Sequence, residues 1–300
     1  MTLSRRDVVL LMLLTLAWGF TWPVMKYGVR ELPPLFFRTV CIAGALVILA
    51  IVARLTSVSL ALPRTDWLDV ATLAVPNVVV WHFAVILALT LLPAGRSAIL
   101  GYTMPLWAAV IGALWFGEHP PARHWVGVAA AMLATVMLLS SELTSLAGHP
   151  TGAVLMLLAA ASWGYGTHLA RRLAIQVPAL AAVFWMLVLA LFVLLTASLI
   201  FEHDRWRVPR RDEWAAIAFN MAISMAFCHV AWLRLARRLP AAASGLSMMM
   251  IPALGVFSSM WLLGERPHWQ DQLALVLIVF SLATVLLPSR ARAQQPLRSP

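Results

Sequence analysis

Ten apolar segments, each close to 20 residues long, constrain the fold of this chain more than any other feature. A helix needs about 20 apolar residues to cross a hydrocarbon layer of roughly 30 Å. The segments lie at about 7–28, 33–54, 67–90, 94–116, 123–141, 152–172, 178–200, 213–236, 240–263 and 269–287. With 62% hydrophobic and 11% charged residues, a water-soluble core of this size could not bury the apolar surface. The sequence therefore predicts an all-α integral membrane protein with ten transmembrane helices.

The chain also contains an internal repeat. The segment 92–120 returns as 239–267 without a gap, at an offset of 147 positions, and a second correspondence joins Trp18-Gly19 to Trp163-Gly164. Internal duplication in a multi-pass membrane protein is typical of secondary transporters. Five spans per copy is an odd number, so the second copy enters the membrane in the opposite direction. We expect two inverted five-helix repeats around a central cavity, at 1–145 and 150–288, and a disordered cytoplasmic tail at 289–300.

The basic residues indicate orientation rather than nucleic-acid binding. The net charge is +10, but the 22 Lys and Arg residues lie singly or in pairs between apolar segments and form no continuous patch. If the N-terminus is cytoplasmic, thirteen of them fall on the cytoplasmic side and nine on the other. This bias predicts that both termini are cytoplasmic. Cys41 and Cys228 fall inside apolar segments, which favours buried free thiols over a disulfide.

Several short motifs recur in the same order in both copies. Each copy opens with Ala/Ser-Trp-Gly in its first span, and its fourth span starts at Leu-Pro-Ala, carries a Pro at mid-helix and ends in Gly-Glu. Over about residues 8–287 this set resembles the EamA-type branch of the drug/metabolite transporter (DMT) superfamily. The resemblance implies ten helices around a central cavity and export of amino acids, metabolites or drugs across the bacterial cytoplasmic (inner) membrane. The abundance of Trp makes the chain look most like the YddG-like aromatic amino-acid exporters.

The charged residues inside the spans bear on the mechanism. All twelve Asp and Glu residues lie at or near predicted span ends, although carriers driven by protons or sodium commonly use a carboxylate at a span centre. Their placement favours a facilitative carrier, with coupling through His as the rival. Only Lys26, Arg38 and Arg96 come near span interiors, so we expect a cavity with few fixed charges. Glu118 and Glu265 are interpreted as structural, pairing with nearby Arg, His or backbone N–H groups.

Aromatic and polar side chains within the spans are the candidates for substrate binding. Trp18 and Trp163 begin symmetry-related motifs near mid-membrane, and Asn77 shares a helix face with Trp81 at i+4. Ser244 and Met248 share a face in the same way. The predicted substrate-binding residues are Trp18, Asn77, Trp81, His82, Tyr102, Trp163, Ser244 and Met248. The alternative for each is a packing role inside the bundle.

Two prolines and one histidine pair complete the predicted machinery. Pro105 and Pro252 occupy matched positions and are expected to kink their helices and permit gating. His82 matches His229 at the same 147-residue offset, and the two either meet in a cavity or each bond a backbone carbonyl. No paired membrane Asp, Ser–Lys or His-Glu-x-x-His arrangement occurs, so we expect no enzyme activity, catalytic residue, metal or cofactor.

These patterns predict a secondary transporter that works in the lipid bilayer by alternating access and acts as a monomer. Its expected substrates are small molecules, most of all neutral or aromatic amino acids and related metabolites. The alternative is a multidrug or metabolite exporter of the same fold, coupled to the proton gradient. The alternatives outside the class of carriers are a channel, a lipid scramblase and an intramembrane enzyme.

Overall fold

The computed structural model describes residues 5–144, 148–173, 175–236 and 241–286, and the side chains of 7–143, 148–173, 175–232 and 249–284. Within these ranges every regular element is helical. The α-helices are α1 (Arg5–Glu31), α2 (Pro34–Leu55), α3 (Arg64–Ala74), α4 (Trp81–Leu91), α5 (Ala94–Gly101), α6 (Met104–Trp115), α7 (Ala122–Thr144), α8 (Pro150–Arg172), α9 (Ala179–Phe201), α10 (Arg211–Ala218), α11 (Cys228–Ala236), α12 (Ala241–Leu263) and α13 (Trp269–Leu286). The predicted disordered tail, 289–300, lies outside the described residues.

Eight helices or continuous helical runs in the described part of the chain are long and apolar enough to cross a membrane. They are Asp7–Glu31, Pro34–Leu55, Arg64–Leu91, Ala94–Trp115, Ala122–Leu143, Pro150–Arg172, Ala179–Phe201 and Arg211–Trp232. Two further apolar stretches, Met249–Leu263 and Trp269–Thr284, are shorter. The chain is thus a helical, multi-pass membrane protein, and the count of ten spans stays a prediction.

Two spans contain a π-helical segment at matched positions. π1 (Val75–Val80) lies between α3 and α4, and π2 (Phe219–Phe227) lies between α10 and α11. The last six residues of π2 are offset by 147 positions from π1. Such widened turns are rare and occur frequently at functional sites. Each is followed within two residues by a histidine, His82 or His229.

The matched prolines have different surroundings in the two copies. A break at Tyr102–Thr103 separates α5 from α6, and Pro105 lies in the first turn of α6, where a missing N–H leaves no hydrogen bond unmade. Pro252 lies inside the unbroken α12. The expected mid-helix kink at Pro105 is therefore a boundary between two helices, whereas Pro252 does interrupt the hydrogen-bond ladder of a continuous helix.

The two halves of the chain pack mainly against each other. α1 contacts α12, α2 contacts α9, α4 contacts α8, and α7 contacts α13. Small residues permit this close approach: a Cβ added at Gly19 would lie 2.5 Å from the Leu254 side chain. Ser281 in α13 donates a hydrogen bond to the Gly127 carbonyl in α7. A space at the centre is consequently lined by both halves.

Candidate functional site

A cavity of about 100 Å³ lies between the two halves, at the middle of several spans. Its lining residues are Trp18, Thr21, Trp22, Met25, Arg38, Trp81, His82, Val85, Tyr102, Met104, Trp163, Ser224, His229 and Trp232. Five predicted binding residues are therefore brought together here: Trp18, Trp81, His82, Tyr102 and Trp163. Trp22 and His229 also line the cavity, as do Arg38 and Trp232, which the sequence analysis did not place there.

Aromatic rings form most of the wall. Trp81 and Trp163 meet edge to face with ring centroids 5.1 Å apart, so α4 of the first half touches α8 of the second. Trp18 lies 5.9 Å from Trp232 by the same measure. Trp22 and Tyr102 are 6.4 Å apart. These rings present apolar faces with a few polar edges, which suits aromatic or apolar ligand groups.

The two matched histidines meet across the cavity. Their ring centroids are 6.3 Å apart. Nδ1 of His229 lies 3.2 Å from the Ser224 carbonyl oxygen in π2, so this ring donates to its own span. His82 is 5% exposed, and both of its ring nitrogens lack a hydrogen-bond partner within the described residues. His82 therefore has hydrogen-bonding capacity to offer a ligand, whereas His229 is partly held by the backbone.

Arg38 is a charged residue that the sequence analysis placed near a span interior but did not assign to the binding site. It begins the second turn of α2, is 1% exposed and lines the cavity. Its Nη2 donates to the sulfur of Met25 at 2.6 Å, and its Nε has no partner in the described part of the chain. The signal was present, since a basic residue inside an apolar span is a functional candidate by default. Arg38 is one of the few fixed charges that the sequence analysis expected, and the structure places it on the cavity wall.

Asn77 does not line the cavity. It lies in π1 and packs against α8, so tightly that a Cβ added at Gly166 would lie 1.4 Å from its Oδ1. That Oδ1 has no hydrogen-bond partner within the described residues. Ser162 of α8 donates to the neighbouring Pro76 carbonyl at 2.8 Å. Asn77 thus packs on α8, as Trp81 does, and its contacts are those of a residue between helices.

Two predicted binding residues fall where side chains are not described. Ser244 and Met248 belong to the backbone of α12, but their side chains lie outside the described residues. Their place in the cavity remains a prediction. Among the described residues, no group of three or more His, Cys, Asp or Glu side chains is arranged to hold a metal ion.

A larger recess, of about 760 Å³, lies near the C-terminal end of α1. Its lining is mostly apolar, and its charged residues include Glu31, Glu202 and Arg207, which have partners within the protein. Arg207 donates to Glu213 at 2.8 Å and to the Glu31 carbonyl at 2.8 Å. The hydrogen bond to Glu213 raises the pKa of Arg207, and one to Glu31 raises the pKa of Arg210. Because these groups are satisfied, the central cavity is the better candidate site.

Comparison with known proteins agrees with this architecture. The EamA-like transporter family matches the chain twice, over residues 6–140 and 150–287. The protein named "Uncharacterized inner membrane transporter YedA" of Escherichia coli (strain K12) is 27% identical over 288 residues, covering 96% of this chain and 92% of its own. A "Probable amino-acid metabolite efflux pump" of Escherichia coli (strain K12) is 23% identical over 304 residues, covering 93% of this chain and 94% of its own.

A solved crystal structure shows the same fold. It is 19% identical and superposes with a TM-score of 0.68, over 97% of this chain and 99% of that chain. The family match covers both halves, the helices are apolar and of membrane-spanning length, and the relatives are named as transporters. The chain therefore belongs to the EamA-like transporter family of the drug/metabolite transporter superfamily and is a multi-pass membrane transporter.

Proposed function

We propose that this protein exports neutral amino acids, above all aromatic ones, through the central cavity by alternating access. The observation that carries the proposal is a cavity lined by both halves of the chain, with a wall made mostly of aromatic rings. Ten spans in two inverted repeats, with both termini cytoplasmic and the protein acting as a monomer, complete the proposal. The two family matches and the residues repeated at 147 positions support the duplicated arrangement.

The substrate class follows from the chemistry of the wall. Tryptophan and tyrosine faces stack on aromatic and apolar groups, and their polar edges accept or donate a few hydrogen bonds. A relative named as an amino-acid metabolite efflux pump supports the same class at 23% identity. The composition, with 14 Trp residues, favours solutes like those of the YddG-like exporters.

Facilitative transport is the mechanism that the cavity favours. None of its fourteen lining residues is Asp or Glu. A substrate gradient then supplies the driving force, and the protein changes only the rate at which the solute crosses.

A specific contact favours proton-coupled export as the second candidate. Nδ1 of His168 lies 3.1 Å from the Glu118 carboxylate, and Nε2 lies 2.7 Å from the Ala108 carbonyl oxygen. The Ala108 carbonyl only accepts, so Nε2 donates to it, and a hydrogen bond between Nδ1 and the Glu118 carboxylate then needs one further proton, carried by either group. This pair would be the place where a transported proton resides.

Reconstitution into liposomes tests both mechanisms. Proteoliposomes loaded with buffer receive radiolabelled tryptophan, phenylalanine, leucine, glutamate or lysine, with and without a pH gradient. We expect saturable uptake of tryptophan and phenylalanine that is independent of the gradient. Failure to move any amino acid would overturn the proposal. Uptake that requires the gradient and is lost in Glu118→Gln would establish the proton-coupled alternative.

A further inference from the structure

The cavity holds a positive charge that the protein does not neutralise. Arg38 is among the largest fully buried side chains, and no carboxylate lies within ion-pair distance of it in the described part of the chain. The other buried arginine among the described residues, Arg96, binds Glu142 and Asp271. Arg38 is therefore an exception within this structure.

The missing partner does not lie among residues whose side chains are undescribed. No Asp or Glu occurs in the sequence of these ranges, which are 1–6, 144–147, 174, 233–248 and 285–300. Glu202, which follows α9, contacts the first turn of α2. Its two oxygens accept hydrogen bonds from the backbone N–H groups of Leu35 and Phe36, at 3.2 and 2.8 Å, so it is already engaged. The carboxylates of this chain are thus engaged elsewhere or lie at its exposed ends, and a counter-charge for Arg38 has to come from outside the protein.

We propose that Arg38 is the anion-binding residue of the central cavity and that it binds the carboxylate of the transported solute. A guanidinium presents its donors in a planar fork that fits the two oxygens of a carboxylate. The Nε has no protein partner, and its position on the cavity wall makes it available to a ligand. This inference rests on the proposed function, because it concerns the same cavity and narrows its substrate class.

His82 supplies a second polar contact. Its two ring nitrogens lack partners within the described residues, and the ring faces the same cavity as Arg38. A ligand carboxylate with one oxygen on the guanidinium would therefore have an additional donor in the imidazole. The remaining wall, including Trp22, Trp81 and Trp163, receives the apolar part of the solute. No acidic group on the wall matches a ligand ammonium. The carboxylate, more than the amine, is thus the group that this site recognises.

Three indole compounds that differ in one group each test this preference. Tryptophan carries both charged groups, indole-3-propionate lacks the amine, and tryptamine lacks the carboxylate. Binding is measured as the ligand-induced rise in Tm of the purified protein in detergent, which does not require transport. We expect tryptophan and indole-3-propionate to raise the Tm and tryptamine to leave it unchanged. Equal shifts with tryptamine would overturn the inference.

Substitutions at Arg38 locate the effect. In Arg38→Met we expect affinity for indole-3-propionate to fall about 100-fold, as two charge-assisted hydrogen bonds are lost. Arg38→Lys keeps the charge but loses the fork, so we expect a loss of about tenfold. The matched control is Arg172→Met, an exposed arginine away from the cavity, which should bind like wild type. Wild-type affinity in Arg38→Met would overturn the inference.

Folding and transport controls separate the possible outcomes. Replacing an unpaired buried charge by an apolar side chain is often neutral or stabilising, so we expect the ligand-free Tm of Arg38→Met to equal or exceed that of wild type. If that variant does not fold, the three-compound comparison on wild type and Arg38→Lys still tests whether the cavity recognises the carboxylate. If wild type binds indole-3-propionate but transports no amino acid, the proposed function fails while the anion site stands.

Discussion

Two matched carboxylates, 147 positions apart, make different contacts at the two ends of the helix bundle. Glu265, after α12, accepts hydrogen bonds from the backbone N–H groups of Ala94 and Gly95 at 2.7 and 3.0 Å, and so caps the start of α5. The corresponding helix start for Glu118 is that of α12. The side chains at that helix start lie outside the described residues; among the described ones Glu118 contacts His168, and its side chain is 42% exposed. Glu265 thus joins the end of α12 to the backbone of α5, whereas the described partner of Glu118 is a side chain of α8.

The ion pairs show the same asymmetry. At the Glu265 end, Arg96 of α5 binds both Glu142 of α7 and Asp271 of α13, and all three are buried. The positions matched to these by the 147-residue offset are Ala243, Ser289 and His124. No such triad can form from them. The difference in ion pairing between the two ends therefore follows from the sequence and does not depend on the conformation alone.

The contacts at the Glu265 end hold the helices of the bundle together there. Arg96, which joins α5, α7 and α13, and Glu265, which ties the end of α12 to α5, both resist separation of the helices at the Glu265 end. In the proposed alternating-access cycle, this corresponds to a state closed at the Glu265 end. At the other end, the described partner of the matched Glu118 is His168.

The largest expected effect is the loss of Arg96. Arg96→Ala leaves Glu142 and Asp271 buried without a counter-charge, so we expect the free energy of unfolding to fall by about 3–5 kcal/mol. The measurement is thermal or denaturant unfolding in detergent. Arg172→Ala, at the Glu118 end, removes a cation 4.2 Å from the Phe116 ring centroid and should change stability by less than about 1 kcal/mol. Equal losses in the two variants would contradict the proposed asymmetry.

Much of the fold follows from the sequence alone, because apolar length decides which segments cross the membrane. The first eight predicted spans agree with the eight membrane-capable helices to within a few residues. The aromatic residues of the cavity were also predictable: Trp18 and Trp163 occupy matched motifs near mid-membrane. Tryptophan rings far from the membrane–water interface cannot serve as interfacial anchors, so a place inside the bundle is favoured for them.

Asn77 shows where sequence reasoning fails. It shares with Trp81 the side of the span that packs on α8, where Asn77 meets Gly166 and Trp81 meets Trp163. Sharing this side did not place Asn77 in the cavity wall, because α8 packs over its position. No local pattern marks the π-helical segments, because π2 has no proline and forms all the same. The sequence shows that Arg38 lies near a span interior, but its place on the cavity wall and its unpaired Nε follow only from the folded structure.

The second prediction concerns the cap on α5. Glu265→Gln removes the charge and one of the two acceptor oxygens, so the start of α5 should lose stability by about 1 kcal/mol. Hydrogen–deuterium exchange of a peptide covering 92–98 measures this, and we expect faster uptake in the variant. The matched control is Glu118→Gln, in which uptake by 92–98 should equal that of wild type. Faster exchange of 92–98 in both variants would show that the two glutamates act on the same equilibrium and are not confined to their own ends.

The smallest effect is expected where the two ends are alike. Gly117 and Gly264 precede the matched glutamates, and both have a positive φ, 64° and 65°, which side chains rarely adopt. A Cβ at either would meet nothing within 4 Å, so only backbone strain opposes substitution. Gly117→Ala and Gly264→Ala should each reduce the free energy of unfolding by about 1 kcal/mol, and by the same amount. Equal values from denaturant unfolding would place the asymmetry in the side-chain contacts. A much larger loss in Gly264→Ala would mean that this turn also aims Glu265 at α5, so that the cap depends on the backbone as well as on the carboxylate.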